Sequence, residues 1–152
     1  MAMKENSKKV LNYLKEINGD NVTAADVAEA LGLDGLIVSG GCDIYNPKAL
    51  RAAMGSSLRM DVTVCDDLGE ILDLAHTLGM QTLASVPRNT ATDIRQVSMD
   101  GGVICCVGNE GNGLSEKTIG QCTKQVVIPM SGRAESFNAS AAAAILAWEL
   151  KR

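Results

Sequence analysis

The chain has 152 residues, 46% hydrophobic and 21% charged, the composition of one globular domain with room for one full core. Aromatic residues make up only 3%, so that core has to be built from Ala, Val, Ile, Leu and Met, without large aromatic cavities. The net charge of −4 excludes a broadly basic nucleic-acid-binding surface, because phosphate contacts need Lys and Arg; any such contact rests on a local group such as Lys48, Arg51 and Arg59.

Lys8 to Ile17 reads as a helix, with Val10, Leu11, Leu14 and Ile17 on one face. Asn18 to Asn21 is a turn. Thr23 suits the N-cap of a helix over Ala24 to Leu31, which Gly32 ends. Two short helices joined by a polar turn resemble the opening of a helix-turn-helix DNA reader. No recognition helix follows, and the alternative is that they cap a sheet. Leu33 to Ser39 reads as a buried strand. Pro47 opens a helix running to about Leu58, and Met60 to Cys65 is a strand. Asp66 or Asp67 caps a helix through Leu78, whose inner face carries Leu68, Ile71, Leu72 and Ala75; Gly79 stops it. Met80 to Val86 is a strand, and Pro87 to Met99 is irregular. Val103 to Val107 and Gln125 to Met130 are apolar strands, with a helix between them that starts at Ser115. An alanine-rich helix closes the chain, with Phe137, Ala141, Ala144, Ile145 and Trp148 on one apolar face. Strands alternating with helices predict an α/β fold: a parallel sheet flanked by helices.

The five cysteines are Cys42, Cys65, Cys105, Cys106 and Cys122. With no CxxC pair and a single histidine, no metal site is expected. An odd number without framework spacing fits a reducing, cytoplasmic setting. The sequence carries no signal-peptide pattern or membrane-length apolar run, so no membrane partner is expected.

The chemistry concentrates in the last third. Gly108-Asn109-Glu110-Gly111-Asn112-Gly113-Leu114 joins a strand to a helix, with glycines where backbone needs positive φ or close approach. Its spacing is G-x-x-G-x-G, not the dinucleotide fingerprint, and Glu110 would repel a pyrophosphate. A plain tight turn is the competing reading. This loop, then Val127-Ile128-Pro129-Met130, then Glu135-Ser136-Phe137-Asn138-Ala139-Ser140 with its alanine run, closely resembles motifs two and three of the SpoU class. Asp34 to Ser39 and Pro47 to Gly55 also look like that family. The resemblance covers about Leu33 to Arg152.

SpoU proteins are S-adenosylmethionine-dependent RNA ribose 2′-O-methyltransferases of the SPOUT superfamily. The resemblance implies a SPOUT fold with a C-terminal trefoil knot, which sequence physics alone would not predict. It implies S-adenosyl-L-methionine as cofactor, tRNA or rRNA as substrate, and a homodimer formed through the knot region. Its cofactor positions map onto Gly108, Glu110, Gly113, Leu114, Ile128, Met130 and Phe137. Its polar active-site positions map onto Glu110, Ser136 and Asn138, although Ser136 and Asn138 are also good helix caps.

One part of the pattern is missing. The family carries an Arg in motif one, thought to help activate the ribose hydroxyl, and its place here falls near Asp26. No Arg stands between Met1 and Asp34. Residues 1–32 therefore read as a diverged or replaced helical segment ahead of a methyltransferase domain over 33–152. Losing a positioned catalytic group commonly costs orders of magnitude in rate. The expected function is a weakened RNA 2′-O-methyltransferase; the alternative is an inactive cofactor- or RNA-binding relative. Arg51 is the candidate to stand in for the missing group.

Overall fold

The computed structural model describes Glu29 and residues 31–41, 43–109, 111–131 and 137–152. The two amino-terminal helices expected over 8–31, Asp26 and Cys42 fall outside the described residues, Glu29 and Leu31 apart. The chain forms two compact units, one running to Asp66 and taking in Lys151 and Arg152, the other Asp67–Leu150.

In the first unit, β1 (Leu36–Ser39) pairs in parallel with β2 (Val62–Cys65), Leu36 opposite Val62 and Ser39 opposite Cys65. Between them lies α1 (Pro47–Ala52), opened by Pro47 and capped by Asn46, whose side chain accepts from the Lys48 amide at 2.9 Å. This helix stops six residues short of its expected end. Met54 and Gly55 take positive φ (45° and 83°), which a helix cannot accommodate, and the chain continues as a 3-10 turn at Ser56–Leu58. β1 is also shorter than expected and half-buried throughout, rather than buried.

The second unit is built on a four-stranded, all-parallel sheet of order β4-β6-β3-β5: β3 (Gln81–Ser85), β4 (Thr92–Asp93), β5 (Val103–Cys106) and β6 (Lys124–Val127). The last strand in sequence, β6, thus lies between β3 and β4. β3 is central, and Thr82, Leu83 and Ala84 are fully buried. Alternation along the strand assigns them to opposite faces. Leu83 joins Ile94, Val97, Val126 and Leu146 in one cluster. Ala84 joins Val86 and Ile119 in a second. Burying each large aliphatic side chain contributes about 1.5–3 kcal/mol. Ile94 and Val97 come from the segment read as irregular. Asp93 caps a 3-10 turn at Ile94–Gln96 by accepting from the Arg95 amide, and that turn aims two apolar residues, three apart, into the core.

Helices α2 (Leu68–Thr77) and α3 (Glu116–Gln121) are capped by Asp67 and Ser115. In α2 the buried positions are Gly69, Leu72 and Ala75, while Leu68 and Ile71 are half-buried. The buried Thr82 hydroxyl accepts from the Thr123 amide at 3.0 Å and meets His76 Nε2 at 2.9 Å, so this polar group inside the sheet is satisfied. The closing helix α4 (Ala139–Leu150) buries Leu146 and Ala147. The apolar face expected over this helix, Ala141, Ala144, Ile145 and Trp148, is half-buried. Phe137 precedes the helix and is 43% exposed. At 100° per residue those four helix positions lie roughly opposite Leu146. With apolar residues all round α4, the sequence could not choose the inner side.

Candidate functional site

Three parallel strands end at one place. Val86 and Pro87 follow β3, Val107 and Gly108 follow β5, and Ile128 follows β6. All line a cavity of about 540 Å³, within the range of small-molecule sites. In open parallel sheets the carboxyl ends of strands are where ligands bind, because the connecting loops diverge there.

The glycine loop forms one wall. Asn109 organises it: its Oδ1 accepts from the Gly111 amide at 3.0 Å and the Asn112 amide at 2.8 Å. Its carbonyl accepts from the Gly113 amide at 3.0 Å. Asn favours such turns because its side chain mimics a backbone acceptor. Gly113 has φ +64°. A Cβ on Gly108 would sit 2.1 Å from the Gly113 carbonyl carbon and 2.3 Å from the Leu114 nitrogen. The close approach that Gly108 allows is therefore of the loop to its own start. Gly111 has no such crowding, its hypothetical Cβ meeting only Asn109 Oδ1 at 3.6 Å.

The opposite wall comes from Ile128, Met130, Phe137 and Asn138. Asn138 caps α4, with its Oδ1 accepting from the Ala141 amide at 2.7 Å. That commits the oxygen to the helix and leaves the amide NH₂ as the part able to donate to a ligand. The structure thus brings Gly108, Gly113, Leu114, Ile128, Met130, Phe137 and Asn138 around one cavity. Glu110 and Ser136 lie outside the described residues. Arg51 is exposed on α1, in the first unit.

Residues that sequence reasoning missed are Ser85, Arg88, Asn112 and Glu116, which also line the cavity. The signal that could have found Arg88 is its position in the loop just beyond the end of a parallel strand. Arg88 pairs with Glu116 through Nη2 and Oε1. Behind the loop, Cys106 and Cys122 hold their sulfurs 4.0 Å apart. Their mutual hydrogen bond, then burial, raises Cys106, and the same bond lowers Cys122. Burial pushes Cys105 up to about 12. Cys105 and Cys106 are thus neutral thiols packed as small apolar groups. Among the described residues no group of three or more His, Cys, Asp or Glu could hold a metal ion, and no helix is long and apolar enough to cross a membrane.

Known proteins share this arrangement. A protein-family model described as the SpoU rRNA methylase family matches residues 17–148. An uncharacterized tRNA/rRNA methyltransferase of Synechocystis sp. is 33% identical over 135 residues, 88% of this chain and 49% of the relative. A 23S rRNA (uridine(2479)-2'-O)-methyltransferase of Streptomyces viridochromogenes is 32% identical over 130 residues, 82% of this chain and 45% of the relative. The SpoU methyltransferase AviRb from Streptomyces viridochromogenes, solved in complex with AdoMet, superimposes with a TM-score of 0.77 at 29% identity, covering 87% of this chain and 52% of that one. The chain therefore spans about half the length of these relatives. The parallel α/β architecture, the glycine loop at its strand ends and a match over residues 17–148 agree: the chain belongs to the SpoU rRNA methylase family.

Proposed function

We propose that the protein binds S-adenosyl-L-methionine in the cavity at the ends of β3, β5 and β6, and transfers its methyl group to a ribose 2′-hydroxyl of tRNA or rRNA. The observation that carries this reading is the cavity itself: about 540 Å³, at the carboxyl ends of three parallel strands, closed by the Gly108–Gly113 crossing. The residues present fit the cofactor. Leu114, Ile128, Met130 and Phe137 offer apolar surface for a purine. Backbone of the glycine loop and of 128–130 supplies directional polar groups. The bound cofactor supplies a methyl group on a positively charged sulfur, so no metal is needed. Glu110, Ser136 and Asn138 are the proposed polar groups that orient the reacting hydroxyl, Asn138 through its amide NH₂. We assign residues 1–32 and 33–152 as separate segments, the second carrying the fold with a C-terminal trefoil knot; the insertion of β6 between β3 and β4 supports that topology.

Turnover is slow in this proposal. The motif-one Arg has no counterpart between Met1 and Asp34, and an Asp near its place is a weak base at neutral pH, with an ordinary pKa of about 3.9. That absence favours, as second reading, a relative that binds cofactor or RNA without turnover. The proposed state is a cytoplasmic homodimer. Helix α4 is apolar all round, yet its Ala141, Ala144, Ile145 and Trp148 side stays half-buried in one chain, as expected of a self-associating face.

Calorimetry with S-adenosylhomocysteine tests the site. The expected dissociation constant lies between micromolar and millimolar, roughly −4 to −8 kcal/mol, and no heat at millimolar ligand refutes it. Labelled-methyl transfer to total RNA, read as alkali-resistant dinucleotides, separates the first reading from the second. Light scattering is expected to give about twice the 15.9 kDa chain mass; a monomer at tens of micromolar removes the dimer.

A further inference from the structure

We propose that Arg88 grips a backbone phosphate of the RNA at the cavity mouth, exchanging its partner Glu116 for that phosphate when RNA docks. This rests on the reading of the cavity as a methyl-transfer site for RNA.

Among the described residues lining the cavity, Arg88 is the only cation and Glu116 the only anion, and each is the other's partner. Their side chains are 42% and 78% exposed. An ion pair so open to water contributes little to stability, so exchanging one anion for another is cheap. The exchange favours phosphate on chemical grounds. A guanidinium presents parallel N–H donors that match the two free oxygens of a backbone phosphate as they match a carboxylate, and pairing with the nucleic acid also releases counterions condensed on it, which pairing with Glu116 does not.

Position supports the same assignment. Arg88 follows Pro87, whose ring fixes φ, immediately beyond the strand end that opens on the cavity. Arg88 thus stands three residues beyond β3, whose middle residues are buried, and its side chain still reaches solvent. A cation held at a wet rim suits a macromolecule arriving from outside better than a group enclosed in the cavity. Charge gives the reason a chain like this needs one. The chain's net charge of −4 gives it little general attraction for a polyanion. A cation placed at this rim sets the register of the phosphate next to the ribose.

The test uses the full chain with bulk tRNA as probe, titrated over a range of salt with and without S-adenosylhomocysteine. R88A is expected to weaken tRNA binding about ten-fold at low salt and to flatten the plot of log affinity against log salt by about one unit. R88K keeps the slope but recovers only part of the affinity, since an ammonium is a point charge. E116Q tightens tRNA binding several-fold by freeing the guanidinium. S-adenosylhomocysteine affinity stays within about two-fold in all three, and thermal unfolding shows that the variants are folded.

Wild-type affinity and slope in R88A overturn the proposal, as does a wild type that binds no tRNA. Loss of S-adenosylhomocysteine affinity in R88A also overturns it, by assigning the guanidinium to the cofactor carboxylate. A wild type that binds tRNA through Arg88 but shows no heat with S-adenosylhomocysteine upholds the phosphate contact and refutes the cofactor reading of the cavity, so the two failures are told apart.

Discussion

The two units carry the same kind of strand in different surroundings. In the first, every residue of β1 is half-buried and Val64 of β2 is 59% exposed; among its described residues the buried side chains are Ala53 and Ser56. In the second, β3 buries Thr82, Leu83 and Ala84 completely, with clusters on both of its faces. A strand covered on both faces holds its end in a fixed place, and the second unit hangs its cavity from that end. The lesson is that, among the described residues, the sheet buried on both faces and the candidate chemistry belong to one unit, with β3 as the anchor.

Gly108→Ala should break that anchor most severely. Its Cβ would meet backbone at 2.1 Å, which no rotamer change relieves, so a loss of about 3 kcal/mol or more is expected, together with loss of S-adenosylhomocysteine binding. Urea unfolding and calorimetry read both. Gly111→Ala is the control, with only a 3.6 Å contact, and equal damage from the two would refute the crossing at Gly108 as the source of the effect. Leu83→Ala compared with Val38→Ala sharpens the contrast directly. The first, fully buried in β3, should cost about 2–5 kcal/mol, and the second, half-buried in β1, no more than about 1.5. Similar values would erase the distinction between the units.

Asn138→Ala should cost about 1 kcal/mol, the usual value of an N-cap, whereas Asn138→Ser keeps a capping oxygen but removes the amide NH₂. If stability recovers in the Ser variant while methyl transfer stays down, the amide serves the site; recovery of both would reduce Asn138 to a cap. The smallest effect belongs to the first unit. Hydrogen bonds from Arg59, then Ser56, hold the Glu29 carboxyl at about 2, below its ordinary 4.5. A folded-state value below the unfolded one stabilises above pH 4.5, and that contribution fades as pH falls toward 2. The pair is partly exposed, so Arg59→Met should cost about 1 kcal/mol at most at pH 7. Denaturant midpoints of the two proteins should converge near pH 2, and a constant gap across that range would deny the linkage.

Much of the fold was legible because its signals are local. Asp67, Ser115 and Asn138 cap helices in the structure, as side-chain acceptors next to apolar periodicity should, and Pro47 opens its helix. The parallel strands follow from alternation of short apolar runs with helices. Other features were not legible. Nothing in Pro87 to Met99 announces that Ile94 and Val97 enter the core, because a two-residue strand and a 3-10 turn are too short for periodicity. Helix α4 offered no polar face to orient it. Gly108 lines the cavity as expected of a cofactor position, and the structure adds that its missing Cβ also lets the loop cross its own start.

The sequence by itself determined the class of fold, the glycine loop, the caps and the family, since each depends on neighbours a few residues apart or on the order of motifs. Only the tertiary structure decided which side of α4 packs inward, that β6 lies between β3 and β4, and that Arg88 faces Glu116 across the cavity mouth. Those facts join residues tens of positions apart. Such contacts follow from burying one sheet on both faces at once, a condition no short stretch of chain can express.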